Sequence, residues 1–290
     1  MRMSEHIWNK YWNTTINMKQ LFLLFILFLG LHGFAQENRL ITTIDLPIKN
    51  CRLATDNLGN GYVYDLNTII KYNPNGDSIG TYSNNRLGNI TSVDVSNPYK
   101  ILVFYADYSI IVFLDNFLTA MESPIALDRL GYDAVTLACS SQENGLWLFD
   151  RLQQKLIKLG KDLSVTNKSI NLSQWVGSQV NPKSLIEQNS IVAIHLSDKS
   201  VIIFDQFATF DKVLSIKTSS DLQIINQNII YQTKDTLFQY SPKQPEASPM
   251  TLPIANSKTA KISKDRLLLL KNEKLYIYHY LPNKSQRISK

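Results

Sequence analysis

The feature that most constrains this chain is a four-strand order that returns along most of its length. Its clearest copy runs from Arg52 to Ser83 and breaks into short segments at Arg52 to Thr55, Gly61 to Asp65, Thr68 to Tyr72 and Ser78 to Tyr82. Between them lie Asn57 to Asn60, Leu66-Asn67 and Asn73 to Asp77, rich in the Gly, Asn and Asp that tight turns accept. Further copies span Ile90 to Leu127 and Ala134 to Leu172, and others begin near Pro182, Asp221 and Thr259. The third segment sets the register. Its six versions end at Tyr72, Phe113, Leu159, Phe204, Tyr240 and Tyr278, at intervals of 41, 46, 45, 36 and 38 residues.

Antiparallel four-strand units at a period near 40 are the signature of a β-propeller. The fold expected is therefore all-β, a propeller of six four-stranded blades. The sixth unit offers strands near Ala260 to Ser263, Arg266 to Leu270 and Lys274 to Tyr280, with no clear fourth. Arg39 to Leu46 is β-branched and belongs to no other unit. Placed outside the sixth unit, it closes the ring by pairing the N-terminal strand with the last blade and removes an open sheet edge. A β-sandwich or a pair of them would also show many short strands, and a different blade number is the other alternative.

Blade one carries Asp56, then Gly59-Asn60, then Tyr62-Val63-Tyr64-Asp65, and later Tyr72 with Asn75-Gly76. It resembles the repeats of NHL/TolB-like six-bladed propellers, in which an Asp and a Gly-Asn turn precede a Tyr-Val-Asp strand. The likeness covers Leu53 to Gly76 and fades afterwards, although blade three keeps Asn144-Gly145-Leu146-Trp147. The resemblance implies architecture and no activity, because such propellers include enzymes, ligand binders and scaffolds.

Ahead of the repeats, Met18-Lys19 opens an apolar run from Leu21 to Leu29, followed by small residues at Gly33 and Ala35. That order reads as a signal peptide cut before Gln36, so residues 1–35 form an N-terminal extension and signal while residues 36–290 form one propeller domain. An uncleaved membrane anchor is the alternative, but a span needs about 20 apolar residues. The location expected is periplasmic or secreted, with no transmembrane span after cleavage. Removing residues 1–35 leaves 27 basic against 23 acidic residues, spread along the chain. No dense basic run marks a nucleic-acid binder. Cys51 and Cys139 fall on inner strands of blades one and three, too far apart for the ~7 Å bridging limit, so no disulfide is expected.

A search for chemistry returns little. The only histidines beyond residue 35 are His195 and His279, both in alternating apolar strands without Cys or carboxylate neighbours at metal-ligand spacing. Nucleotide loops, nucleophile elbows and zinc spacings are absent. No catalytic, cofactor or metal residue is therefore assigned, and no enzyme activity is expected. Asp56, Asp94, Ser140, Glu187, Asn226 and Lys264 fall at corresponding ends of inner strands, as a mixed axial ring. Two connectors share the tripeptides Arg86-Leu87-Gly88 and Arg129-Leu130-Gly131, and the longest connector carries Trp175. Arg, Tyr and Trp dominate binding hot spots. Arg86, Tyr108, Arg129, Tyr132 and Trp175 thus form the candidate interaction face, with a structural capping role for the tripeptides as the alternative. The function expected is a scaffold or accessory subunit that binds another protein of a bacterial cell-envelope secretion or assembly complex. A carbohydrate- or small-ligand-binding propeller is the second reading.

Overall fold

The computed structural model describes residues 38–196, 200–218, 220–241 and 244–280. The signal segment and its cleavage point lie outside the described residues. Strand β1 (Arg39–Asp45) precedes blade one, which comprises β2 (Arg52–Thr55), β3 (Gly61–Tyr64), β4 (Thr68–Tyr72) and β5 (Ser78–Ser83). Blade two holds β6 (Ser92–Asp94), β7 (Ile101–Tyr105), β8 (Ile110–Leu114) and a two-residue β9 (Ile125–Ala126). Blade three is β10 (Val135–Ser140), β11 (Leu146–Asp150), β12 (Lys155–Leu159) and β13 (Val165–Lys168). Blade four follows with β14 (Pro182–Gln188), β15 (Ile191–Leu196), β16 (Ser200–Asp205) and β17 (Phe210–Ser215). Blade five has β18 (Gln223–Ile225), β19 (Asn228–Thr233), β20 (Thr236–Ser241) and β21 (Gln244–Thr251). The sixth combines β22 (Thr259–Ser263), β23 (Arg266–Lys271) and β24 (Lys274–His279) with β1, in the order β1-β24-β23-β22.

Closure is as expected. β1 runs antiparallel to β24 from Arg39 opposite His279 to Asp45 opposite Lys274, with a bulge between Leu40 and Thr42. The only α-helix among the described residues is α1 (Ser173–Val176).

Both faces of each sheet are buried, and this explains why the middle strands read as nearly continuous apolar runs. In β7, Ile101, Val103 and Tyr105 join the cluster shared with blade one, while Leu102 and Phe104 join the cluster shared with blade three. β11 sends Leu146 and Leu148 one way and Trp147 and Phe149 the other. Six such clusters occur, one for each junction between neighbouring blades, including the junction of blade six with blade one. Cys51, just before β2, and Cys139, in β10, sit in two different clusters and are unbridged, as expected from their blade positions.

Turn chemistry differs between the two ends of the blades. Connectors to the next blade and the turns between second and third strands share one end, here the upper pole. At five blades an apolar residue of the connector donates its backbone N–H to that turn: Leu46 to Glu273, Ile90 to Leu66, Leu127 to Ser109, Leu172 to Gln154 and Leu252 to Asp235, all at 2.6–2.9 Å. At the lower pole, turns between third and fourth strands repeat one design. Asp115 Oδ1 accepts from the amides of Phe117 and Thr119 at 2.8 Å, and Asp205 Oδ1 accepts likewise from Phe207 and Thr209. The next residue is left-handed in each, Leu118 at φ 65° and Ala208 at φ 64°. Lysines of the third strand tie this turn to the preceding blade. Lys71 Nζ donates to the Asn116 carbonyl at 2.8 Å, and Lys158 Nζ to the Gln206 carbonyl at 3.0 Å.

Two measurements test this architecture. Deleting residues 36–46 exposes the edge of β24 and uncovers the blade six–blade one cluster, so the melting temperature should fall by roughly 10 °C or more. An unchanged melting temperature would contradict closure by β1. The hairpin at Asn226-Gln227 holds both residues at positive φ, 49° and 65°. Asn-Gly is the favoured pair for such a turn, so Gln227→Gly should stabilise the exposed turn by ~0.5–1 kcal/mol in chemical denaturation.

Candidate interaction face

The upper pole of blade two is built around a single 3-10 turn, Ala106–Tyr108. The first connector lies against it: a Cβ on Gly88, whose φ is +80°, would meet Asp107 and Tyr108 atoms at 3.0–3.2 Å. Asn89 donates its amide to Asp107 Oδ2 at 3.1 Å. The second connector flanks the other side, where Leu127 donates to the Ser109 carbonyl and Ser109 Oγ to that of Asp133. The connectors that carry Arg86, Arg129 and Tyr132 therefore flank the turn that carries Tyr108. Arg86 and Arg129 are exposed, while Tyr132 is half-buried against the cluster between blades two and three.

The fifth residue of the set does not join them. Trp175, on α1, packs in the junction between blades three and four, stacked on Phe210 at 4.6 Å between ring centroids and edge-on to Phe204 at 5.7 Å. A run of polar neighbours, Ser173, Gln174, Ser178 and Gln179, hides this role in the sequence. The two Arg-Leu-Gly tripeptides are also not equivalent positions. Leu87 precedes the buried Ile90, whereas Leu130 follows the buried Leu127 and is itself exposed.

The structure adds residues that sequence reasoning missed. Turns between second and third strands present Leu66, Tyr108 and Leu152 in blades one to three, at 57%, 61% and 71% exposure. Leu130 and Ile170 stand exposed in the adjoining connectors. The matching turns of blades five and six carry Lys234-Asp235 and Asn272-Glu273 instead. Carboxylates on the apolar side are engaged by local amides: Asp65 by Asn67 and Thr68, Asp128 by Arg129, and Asp150 by Leu152 and Gln153. Arg86, Arg129 and Arg151 take part in no ion pair among the described residues.

Along the axis, inner strands from all six blades line a cavity of about 790 Å³. The acidic members of the mixed ring are committed to structure. Asp56 accepts from the amides of Leu58 and Asn60, from Asn60 Nδ2 and from the Tyr62 hydroxyl at 2.7–3.0 Å. Asp94 Oδ2 takes the Ser140 amide of the next blade at 2.7 Å. Glu187 turns into the junction with blade three, where Oε2 accepts from Gln142 N at 2.9 Å and Trp147 Nε1 at 2.8 Å. Asn226 and Lys264 line the cavity. His195 is buried, and His279 is 3.7 Å from Asp265. Among the described residues no group of three His, Cys, Asp or Glu could hold a metal ion.

No family model matches the sequence, and no curated protein matches it either. Solved structures show the fold. The chain is similar to the WD40 domain of Neurospora crassa Pan2, at 9% identity and a TM-score of 0.57 over 88% of this chain and 98% of that one. It is similar to streptogramin B lyase at 11% identity and TM-score 0.51, covering 86% and 87%. A protein of unknown function from Bacteroides caccae follows at 8% and 0.50, covering 72% and 81%. One fold thus serves a WD40 domain and a lyase, and assigns no activity here. Together with the six blades, these likenesses make the chain a six-bladed β-propeller, the architecture that the blade-one resemblance implied.

The indole of Trp175 is half-buried against the junction of blades three and four, so Trp175→Ala should cost about 1–2 kcal/mol of stability in denaturant titration. A loss under about 0.5 kcal/mol, the range of surface substitutions, would return Trp175 to the interaction face.

Proposed function

We propose that the protein is an exported, non-catalytic propeller that docks another protein through the upper pole of blades one to three. One observation carries this reading. Three equivalent turns in neighbouring blades present large apolar side chains, Leu66, Tyr108 and Leu152, and the same pole carries Arg86, Arg129 and Arg151, which take part in no ion pair among the described residues. Scattered exposed apolar residues are ordinary, but a row at one structural position, absent from blades five and six, is a patterned surface. Aromatic and arginine side chains supply contact area and directed donors, and the arginines favour a partner with acidic residues facing them.

The secretory reading of residues 18–35 supports placement in the cell envelope, in the periplasm or outside it. Among the described residues no helix is long and apolar enough to cross a membrane. A rigid ring with a docking pole suits a scaffold or an accessory or gating subunit of an outer-membrane secretion or assembly complex.

Affinity purification with crosslinking from solubilised envelope should recover a specific partner. Tyr108→Ala and Arg129→Ala should each weaken its binding, by ~2 kcal/mol where the residue is a hot spot, with melting temperature unchanged. Recovery of no specific partner, or full affinity in both variants, would refute this assignment.

A further inference from the structure

Charge is unevenly distributed along the axial cavity. Asp56, Asp94 and Lys264 lie toward the lower pole, where the inner strands end. Arg52, Lys183, Asp221 and Lys261 lie toward the upper pole. Arg52 donates from Nη1 to the Thr91 carbonyl and from Nη2 to the Ile90 carbonyl, both at 2.6 Å, with its guanidinium 4.6 Å from the Tyr64 ring centroid. Lys261, only 4% exposed, donates from Nζ to the carbonyls of Asp221 at 2.8 Å and Leu222 at 3.3 Å. Lys183 is exposed at the same end.

Backbone carbonyls satisfy the donors of these cations without neutralising them. None of the ion pairs among the described residues includes Arg52, Lys183 or Lys261. Asp221 is the carboxylate that opposes them. Its charge supports protonation of Lys261 against the larger effect of burial, which lowers the lysine's proton affinity. Tyr64, beneath Arg52, is pushed up to about 12 by burial, with Arg52 and Asp221 acting in opposite directions. Three cations against one carboxylate leave this end positive, and low-dielectric walls focus that field into the cavity. A buried ammonium without an anion is a costly arrangement that an anionic ligand relieves. Below the cations, Val93, Leu137, Leu185 and Ile224 contribute apolar edges to the wall beside Ser92, Ser184 and Gln223.

We infer that the upper half of the axial cavity binds a small amphipathic carboxylate, its head among Arg52, Lys183 and Lys261 and its apolar body against Val93, Leu137, Leu185 and Ile224. A volume of about 790 Å³ fits a ligand of this class, since small-molecule sites span roughly 300–1,000 Å³. The site lies toward the same pole as the docking residues but shares none with them, because Tyr108 and Arg129 do not line the cavity.

Octanoate is the probe, titrated into the purified protein by calorimetry, with octanol as the uncharged control. One octanoate should bind per chain, and octanol should bind at least about tenfold more weakly. Lys183→Glu reverses an exposed charge without touching a structural bond, and should weaken octanoate about tenfold at unchanged melting temperature. Asp221→Asn should tighten it. Lys261→Met should weaken it as well, and if that variant fails to fold, Lys183→Glu and Asp221→Asn still decide. Absence of saturable one-to-one binding, equal affinity for octanol and octanoate, or unchanged affinity in both Lys183→Glu and Asp221→Asn overturns the site. Loss of partner binding in Tyr108→Ala would leave these results untouched.

Discussion

Everything in this ring depends on each blade being apolar on both faces. A sheet with one wet face can end anywhere, but a sheet such as β6 to β9, with Ile101 and Val103 on one side and Leu102 and Phe104 on the other, requires a neighbour on each side. Six blades satisfy that demand only by returning to the first. The junction of blade six with blade one is accordingly as apolar as the rest, with Leu268, Leu270 and Ile277 against Leu53, Val63 and Ile70. Charged groups at the junctions are engaged, as Glu187 is with Trp147 and Lys158 is with Glu143 and the Gln206 carbonyl.

This same constraint made the strands legible. Buried on both faces, the third strands are runs such as Ile110 to Leu114 and Val201 to Phe204, bounded by Asn, Asp and Gly, and their register follows from the residues alone. Closure by Arg39–Asp45 was readable because an unassigned β-branched segment had one vacant place to go. Connectors were harder. Ile90, Leu127 and Leu172 are buried plugs, but each sits in irregular chain where neither period two nor period 3.6 marks a face. The ring contacts of Trp175 were hidden for the same reason: its partners Phe204 and Phe210 lie about 30 residues away, beyond any local pattern. The role of Glu187 was equally out of reach, since its donors stand at Gln142 and Trp147 in another blade. The connectors that carry Arg86, Arg129 and Tyr132 flank the turn of Tyr108, while the equivalence of Leu66 and Leu152 with Tyr108 required the aligned turns.

The repeat also has an inner rhythm of two blades. Lys71 in blade one and Lys158 in blade three sit over the rings of Tyr62 and Trp147, at 5.2 and 5.5 Å, and both reach the lower turn of the blade that follows. Those receiving turns, Asp115-Asn116-Phe117-Leu118-Thr119 and Asp205-Gln206-Phe207-Ala208-Thr209, share their pattern with each other more than with blade three, which has Gly160-Lys161-Asp162-Leu163-Ser164. Blades one with two and three with four are therefore related as pairs. The upper pole follows another division, apolar on blades one to three and polar at the turns of blades five and six, so the ring is symmetric in its core and asymmetric at its surface.

Pairing β1 with β24 ties together two segments far apart in the chain. Arg39 faces His279 across 240 residues, so this ladder joins the two most distant strands of the ring in sequence. Bringing such distant ends together costs about 5 kcal/mol in chain entropy, a cost met in advance by the blades already stacked between them. Without that ladder β24 would have an open edge, and Leu275 and Ile277 would lose cover from Ile44. Once the ladder forms, both ends of the described chain lie on one outer strand pair, and opening the ring from either end means breaking that ladder first.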